Sequence, residues 1–163
     1  MEYRYDFVWK AASPEVKREV LDVWRRHGAL DDAAAAQRID EIVVIARTER
    51  GEIAGVSTTI DAFVPLLDTK MYYFRAFVTD AHRMSGIGRG MLRAAYEVFD
   101  ARYREGEGRD IPGFLIEITN PLHQKLWPAT IWQSGGLHCV YIGKSQTGSH
   151  LRVWYFQGSK LAP

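Results

Sequence analysis

Apolar and polar positions along this chain follow two different periods, and the changes of period mark its elements. The stretch "YRYDFVWKA" (3–11) alternates as a strand does. In "SPEVKREVLDVWRRHG" (13–28) the spacing changes, and Val16, Val20, Val23 and Trp24 form one stripe of a helix. Ser13 stands where an N-cap belongs, Pro14 suits the first helical position and Gly28 can end the helix. A shorter helix is predicted for "DDAAAAQRIDE" (31–41), with aspartate at its start where negative charge suits the helix dipole. "IVVIARTE" (42–49) and "EIAGVSTTI" (52–60) are rich in β-branched residues and joined by "RG", a hairpin signal. After a predicted loop "DAFVPLLD" (61–68), "KMYYFRAFVT" (70–79) is a long aromatic strand.

That strand runs into "DAHRMSGIGRGM" (80–91), which sets Gly86, Gly88 and Gly90 among His82, Arg83 and Arg89. Beyond it, "MLRAAYEVFDARYRE" (91–105) places Leu92, Ala95, Tyr96, Phe99 and Tyr103 on one helical face, with the helix expected to begin near Gly90. "GFLIEITN" (113–120) is a short buried strand, and "PLHQKLWPATIWQSGG" (121–136) reads as helical turns interrupted by Pro128. "LHCVYIGKS" and "LRVWYFQG" are two more strands around a "QTGS" turn. The order β, α, α, β, β, β, glycine loop, α, β, α, β, β, with no repeat or linker, predicts one domain over residues 1–163 in the α/β (α+β) class.

Composition narrows the partners. The chain has 163 residues, 47% hydrophobic and 25% charged, with a net charge of +1, which favours neither nucleic acid nor an anionic membrane as a bulk partner. Cys139 is the single cysteine and can form no internal disulfide. Glu2, Arg4 and Asp6 interrupt the N-terminal segment where a signal peptide needs an apolar run, so the expected compartment is the cytoplasm. No stretch reaches the roughly 18 apolar residues of a membrane span. The five histidines show no ligand spacing, and no metal is expected.

The glycine loop has the makings of an anion site: glycines let a backbone approach closely, and amides at a helix start attract negative charge. It lacks the Gly-Lys-Ser/Thr of a P-loop. A dinucleotide fingerprint is disfavoured, because a two-helix segment and a hairpin precede the loop and Arg83 to Arg89 are too basic for it. A solvent-exposed loop whose glycines only permit turns is the plain alternative.

The whole segment "FRAFVTDAHRMSGIGRGMLRAAYEVF" resembles the central motif of the GNAT superfamily of N-acetyltransferases, a strand followed by Arg or Gln, two residues, Gly, one residue, and Gly or Ala at a helix start. Here that is Arg83, Met84, Ser85, Gly86, Ile87 and Gly88, with Val78 five residues ahead. The flanking order of elements resembles the family over nearly the whole chain. The resemblance implies a central mixed, mostly antiparallel twisted sheet of about six to seven strands flanked by about four helices. It implies acetyl-CoA as cosubstrate, its pyrophosphate held by the amides of Met84, Ser85, Gly86, Ile87, Gly88 and Arg89, with Arg83 and Arg89 adding charge. It also implies that the main chain of Ala76, Phe77 and Val78 pairs with the pantetheine arm, one amide polarising the thioester carbonyl.

Transfer of acetyl to an amine needs a placed, deprotonated nitrogen, an acceptor for its proton and, less stringently, a donor for the leaving thiolate. Glu117 interrupts the apolar run "FLIEIT" on the strand face opposite Phe114, Ile116 and Ile118, where desolvation would raise its pKa; a structural partnership with an arginine such as Arg75, or plain exposure, is the alternative. In the family the acid is a tyrosine near the end of the following helix, and Trp132 occupies that place if "WQSGGL" is aligned with it. Tyr141 is the first substitute, with Cys139, Tyr72 and Tyr73 behind it. Asn120 is expected to touch the coenzyme, although its spacing from Trp132 departs from the family. A protein that kept the coenzyme site as a sensor and lost efficient transfer is the second class of function.

The acceptor implied is the primary amine of a small molecule or a peptide, entering near "GALDDAAA" and "GKSQTGSH". Asp31 and Asp32 there would attract a cation, or would simply start their helix. The aromatics Trp24, Tyr72, Tyr73, Phe77, Trp127, Trp132 and Trp154 line a pocket or form core. The resemblance implies a homodimer, often formed through the C-terminal strands, and the apolar "VWYF" is compatible with it.

Overall fold

The computed structural model describes residues 2–126, 128–133 and 136–159. The chain divides into two compact units, Met1–Thr59 with Ala76–Ala95, and Ile60–Arg75 with Tyr96–Pro163.

In the first unit β1 (Tyr3–Phe7) pairs antiparallel with β2 (Ile42–Thr48), and β2 with β3 (Ile53–Val64). α1 (Pro14–Arg26) begins where the sequence predicts: Ser13 Oγ accepts from the Val16 N–H at 3.3 Å. Its stripe of Val20, Val23 and Trp24 is buried against Ile42, Ile45, Ile53 and Val56. α2 (Asp32–Arg38) is capped by Asp31, whose carboxylate accepts from the Ala34 N–H at 2.7 Å, and residues 39–41 form a 3-10 turn. A mostly buried Arg47 fastens α1 to the strands through a bidentate pair with Glu19 and an ion pair with Asp6.

Three elements run from one unit into the other: β3, β4 (Thr69–Val78) and α3 (Ile87–Arg104). The predicted loop 61–68 is strand as far as Val64. Ile60, Ala62 and Val64 face inward while Asp61 and Phe63 face out, the period-2 pattern of a strand, and the turn is confined to Pro65–Leu67 and a left-handed Asp68.

In the second unit β5 (Gly113–Ile118) runs parallel to β4, Tyr72, Tyr73 and Phe74 matching Phe114, Leu115 and Ile116. β8 (His150–Tyr155) pairs antiparallel with β5 and with β7 (Cys139–Lys144), and β7 pairs with β6 (Ile131–Trp132). The sheet order is β1-β2-β3-β4-β5-β8-β7-β6, mixed and mostly antiparallel as expected, with eight strands against the six to seven predicted. One face carries Tyr72, Phe99, Phe114 and Phe156 in edge contacts, with Tyr96 stacked on Trp154 at 3.7 Å. The other carries Met71, Leu115, Val153 and Val140.

Two expectations change here. The helical reading of 121–136 is confined to α4 (Pro121–Leu126), the fourth α-helix among the described residues. Ile131 and Trp132 are a strand instead, paired with Val140 and Cys139 beyond the Pro128 that cannot continue a helix. Trp127, Ser134 and Gly135 lie outside the described residues. The "VWYF" segment is not an exposed apolar end, because β8 lies inside the sheet and Val153, Trp154 and Phe156 are buried by this chain itself. Among the described residues no helix is long and apolar enough to cross a membrane.

Candidate functional site

The glycine loop lies in the first unit. After β4 a 3-10 turn at Asp80–His82 leads to Met84 at φ 63° and Gly86 at φ 85°, two left-handed residues that turn the chain into α3. The helix starts at Ile87 rather than near Gly90, so Ile87, Gly88 and Arg89 form its first turn. Its first intrahelical bond runs from the Gly90 N–H to the Gly86 carbonyl at 3.0 Å. That makes Gly86 the N-cap. The amides of Gly86, Ile87, Gly88 and Arg89 therefore have no acceptor within the helix, and a glycine N-cap has no side chain to supply one.

Charge gathers at the same point. A Cβ built on Gly86 would lie 3.3 Å from an Arg89 guanidinium nitrogen, so this cation folds back over the loop. Arg83 pairs with Asp80 at 2.7 Å, both side chains exposed, an arrangement that holds it weakly. Exposed Met84 and Ser85 and buried Ile87 complete the segment.

One glycine that the sequence reading passed over sets the height of this helix start. A Cβ at Gly55 of β3 would be 3.0 Å from Ile87 Cγ2, Met91 Cε and the Phe77 carbonyl, so the bare strand lets α3 sit down on it. Its signal was a lone glycine within a β-branched strand. Ala76, Phe77 and Val78 follow the Tyr72–Phe74 stretch of β4 that pairs with β5, and Thr79 ends the strand by donating its N–H to the Ala54 carbonyl at 2.9 Å.

The candidate proton acceptor lies in the second unit. Tyr73 donates its hydroxyl to Glu117 Oε2 at 2.7 Å, and the hydroxyls of Ser145, Ser149 and Thr147 also favour the ionised carboxylate. These hydroxyls form a chain of their own across the β7–β8 turn, Ser145 to Thr147 at 2.9 Å and Thr147 to Ser149 at 3.4 Å. Hydrogen bonding, with Tyr73 foremost, outweighs desolvation and holds Glu117 below the ordinary glutamate value. The expectation of a raised pKa is thereby corrected. Arg75 places its guanidinium over the Tyr73 ring at 5.5 Å.

Tyr141 is not beside Glu117. Ile116, Arg152 and Tyr141 are register partners across β5, β8 and β7 and share one face, whereas Glu117 is matched with Leu151 on the other. The Tyr141 ring meets His150 and the Arg152 guanidinium. Burial pushes the Cys139 thiol and the Tyr72 phenol each up to about 12, which makes both poorer proton donors. Trp132 is buried on β6 and does not stand at a helix end. Asn120 uses its side-chain oxygen to accept from the Leu122 N–H at 2.9 Å, at the start of α4. Of the two aspartates near the expected acceptor entry, Asp31 is the α2 cap and Asp32 lies 3.8 Å from Arg25.

No family model matches the sequence, and no curated protein matches it. Solved structures do. A GNAT-family acetyltransferase from Listeria monocytogenes superposes with a TM-score of 0.63 at 16% identity, covering 94% of this chain and 94% of that one. The chain has the GNAT acetyltransferase fold. Arabidopsis thaliana NAA60, solved in complex with acetyl-CoA, matches at 0.57 and 12% identity over 94% of this chain and 99% of its own. The ribosomal-protein-S18-alanine N-acetyltransferase of Escherichia coli matches at 0.55 and 12% over 98% and 97%.

Proposed function

We propose that this chain is an acetyl-CoA-dependent N-acetyltransferase acting on the primary amine of a small molecule or peptide. The observation that carries the reading is the start of α3: a glycine N-cap, four amides without an intrahelical acceptor and a guanidinium folded back beside that glycine, on a GNAT fold. A diphosphate fits that chemistry, since it brings several acceptor oxygens and negative charge to the positive end of a helix of 18 residues. The amides of Met84 and of Gly86 to Arg89 would hold the diphosphate, with Arg83 and Arg89 as counter-charges, while the Ser85 N–H is given to the His82 carbonyl. The main chain of Ala76, Phe77 and Val78 would meet the pantetheine arm. A single acetyltransferase domain over 1–163 is part of the proposal, supported by β3, β4 and α3 running unbroken from one unit to the other.

In the reaction the amine lone pair attacks the thioester carbonyl carbon, the carbon–sulfur bond breaks as the thiolate leaves, and the nitrogen gives up a proton. Glu117 is the residue we assign to that proton. Held ionised by Tyr73 and the turn hydroxyls, its carboxylate is suited to receive a cationic ammonium and is a weak base once the amine is bound. Tyr73, already in contact with Glu117, takes the place as candidate acid that Tyr141 was expected to fill. A second reading, an acyl-coenzyme A sensor with weak transfer, is favoured by the same low basicity of Glu117. Calorimetric titration with acetyl-CoA, followed by thiol release over a panel of amines, separates the two. Binding with release supports the transferase, binding without release the sensor, and no binding rejects both.

A further inference from the structure

The coenzyme loop is gripped by a strand far from it in sequence. Tyr3 and Tyr5 are two residues apart on β1 and share a face. The Tyr3 hydroxyl lies 2.9 Å from His82 Nδ1, and the two rings meet edge to face at 5.6 Å. Tyr5 reaches the first turn of α3, where a Cβ on Gly90 would fall 2.0 Å from its hydroxyl oxygen; the phenol occupies the space that glycine leaves.

His82 carries this grip into the loop. Its carbonyl accepts from both the Ser85 hydroxyl and the Ser85 N–H, and its own N–H donates to Thr79 at the end of β4. Ser85 sits between Met84 and Gly86, the two left-handed residues that aim the amides of Gly86 to Arg89. A change in the seat of His82 therefore turns the amides. Tyr3 holds the imidazole laterally, and Tyr5 fixes the helix start one turn further on.

We propose that Tyr3 is a positioning residue for coenzyme binding, acting through His82 and Ser85 on the anion-binding amides, with Tyr5 as the stop against Gly90. The inference rests on the coenzyme reading of the loop. A packing role for β1 would need the rings but not the hydroxyl-to-imidazole bond, and that bond is what the test removes.

Wild type, Tyr3→Phe, His82→Ala and the double variant are titrated calorimetrically with coenzyme A and, in parallel, with pantetheine, which lacks the diphosphate. Tyr3→Phe is expected to weaken coenzyme A about threefold to tenfold, the range of one hydrogen bond, and to leave pantetheine unchanged. The double variant is expected to bind no more weakly than His82→Ala. His82→Asn, whose amide can stand in for Nδ1, should recover most of the affinity. Unchanged coenzyme A affinity in folded Tyr3→Phe, equal loss for both ligands, or additive losses in the double variant would overturn the proposal. Wild type that binds no coenzyme A would instead reject the coenzyme reading itself. Tyr3→Phe deletes one hydroxyl from a partly exposed ring and carries the test even where His82→Ala does not fold.

Discussion

Tyr73 and Glu117 are joined by a 2.7 Å hydrogen bond across the parallel strands β4 and β5. The phenol is the largest cause of the carboxylate's lowered pKa. A folded-state pKa below the unfolded one adds stability that is present above the unfolded value and is lost as pH falls through the folded one. Tyr73→Phe should therefore raise the Glu117 pKa and cost about 1 kcal/mol near neutral pH, a figure kept low because the carboxylate is partly exposed. The cost should vanish in acid. Carboxyl titration followed by NMR, with denaturant melts at neutral and acid pH, checks both halves. A pKa that stays put in Tyr73→Phe would contradict the assignment.

Gly86 and Gly88 separate the backbone requirement from the ligand requirement. Gly86 is at φ 85°, so Gly86→Ala pays roughly 1–2 kcal/mol of left-handed strain and disturbs the amides as well. Gly88 has an ordinary φ and nothing within 4 Å of a Cβ built on it. Gly88→Leu should melt at or above the wild-type temperature, since leucine favours helix over glycine by up to about 1 kcal/mol, and should still lose coenzyme A affinity by blocking the approach. Thermal melts and calorimetry on the two variants check this. A folded Gly88→Leu that binds coenzyme A normally would mean that the helix start is not the diphosphate site.

How much of this was legible in the sequence depends on the range of the interactions. α1 was, because Ser13, Pro14 and the Val20-Val23-Trp24 stripe act within one element. The glycine loop was, because Gly86 declares a left-handed turn locally. The strand residues 61–64 were hidden by the Pro65 and Asp68 that follow them, which suggested a longer loop than the turn they form. The surroundings of Glu117 were beyond reach. Tyr73 and Ser145 to Ser149 meet it only through the parallel β4/β5 register and the β7–β8 turn, and those hydroxyls reverse the sign of the shift that desolvation alone would give. Tyr141 was the first substitute acid in the sequence, and the register of β7 on β8 and of β8 on β5 sets it on the face opposite Glu117.

Cys139 should be inert in the folded protein. It is fully buried and its thiol is pushed up to about 12 by desolvation, so almost no thiolate exists at neutral pH. A disulfide reagent that titrates thiols should report none in the native chain and one per chain after denaturation. Prompt reaction in the native state would place the thiol at the surface and reopen it as a proton donor.

Asp31 was one of two explanations for a negative charge near the expected acceptor entry, and its geometry favours the helix cap. Its carboxylate accepts from the Ala34 N–H at 2.7 Å, the bond an N-cap makes. Asparagine caps about as well as aspartate, so Asp31→Asn should leave stability nearly unchanged, whereas Asp31→Ala should cost about 1 kcal/mol. The charge is thus removed in one variant and the cap in the other. Chemical denaturation of both gives the stability difference, and the acetylation rate with a cationic amine, once an acceptor is found, gives the rest. If Asp31→Asn keeps both stability and KM, the residue serves the helix alone. A rise in KM at unchanged stability would instead mean that the cap also draws in the ammonium.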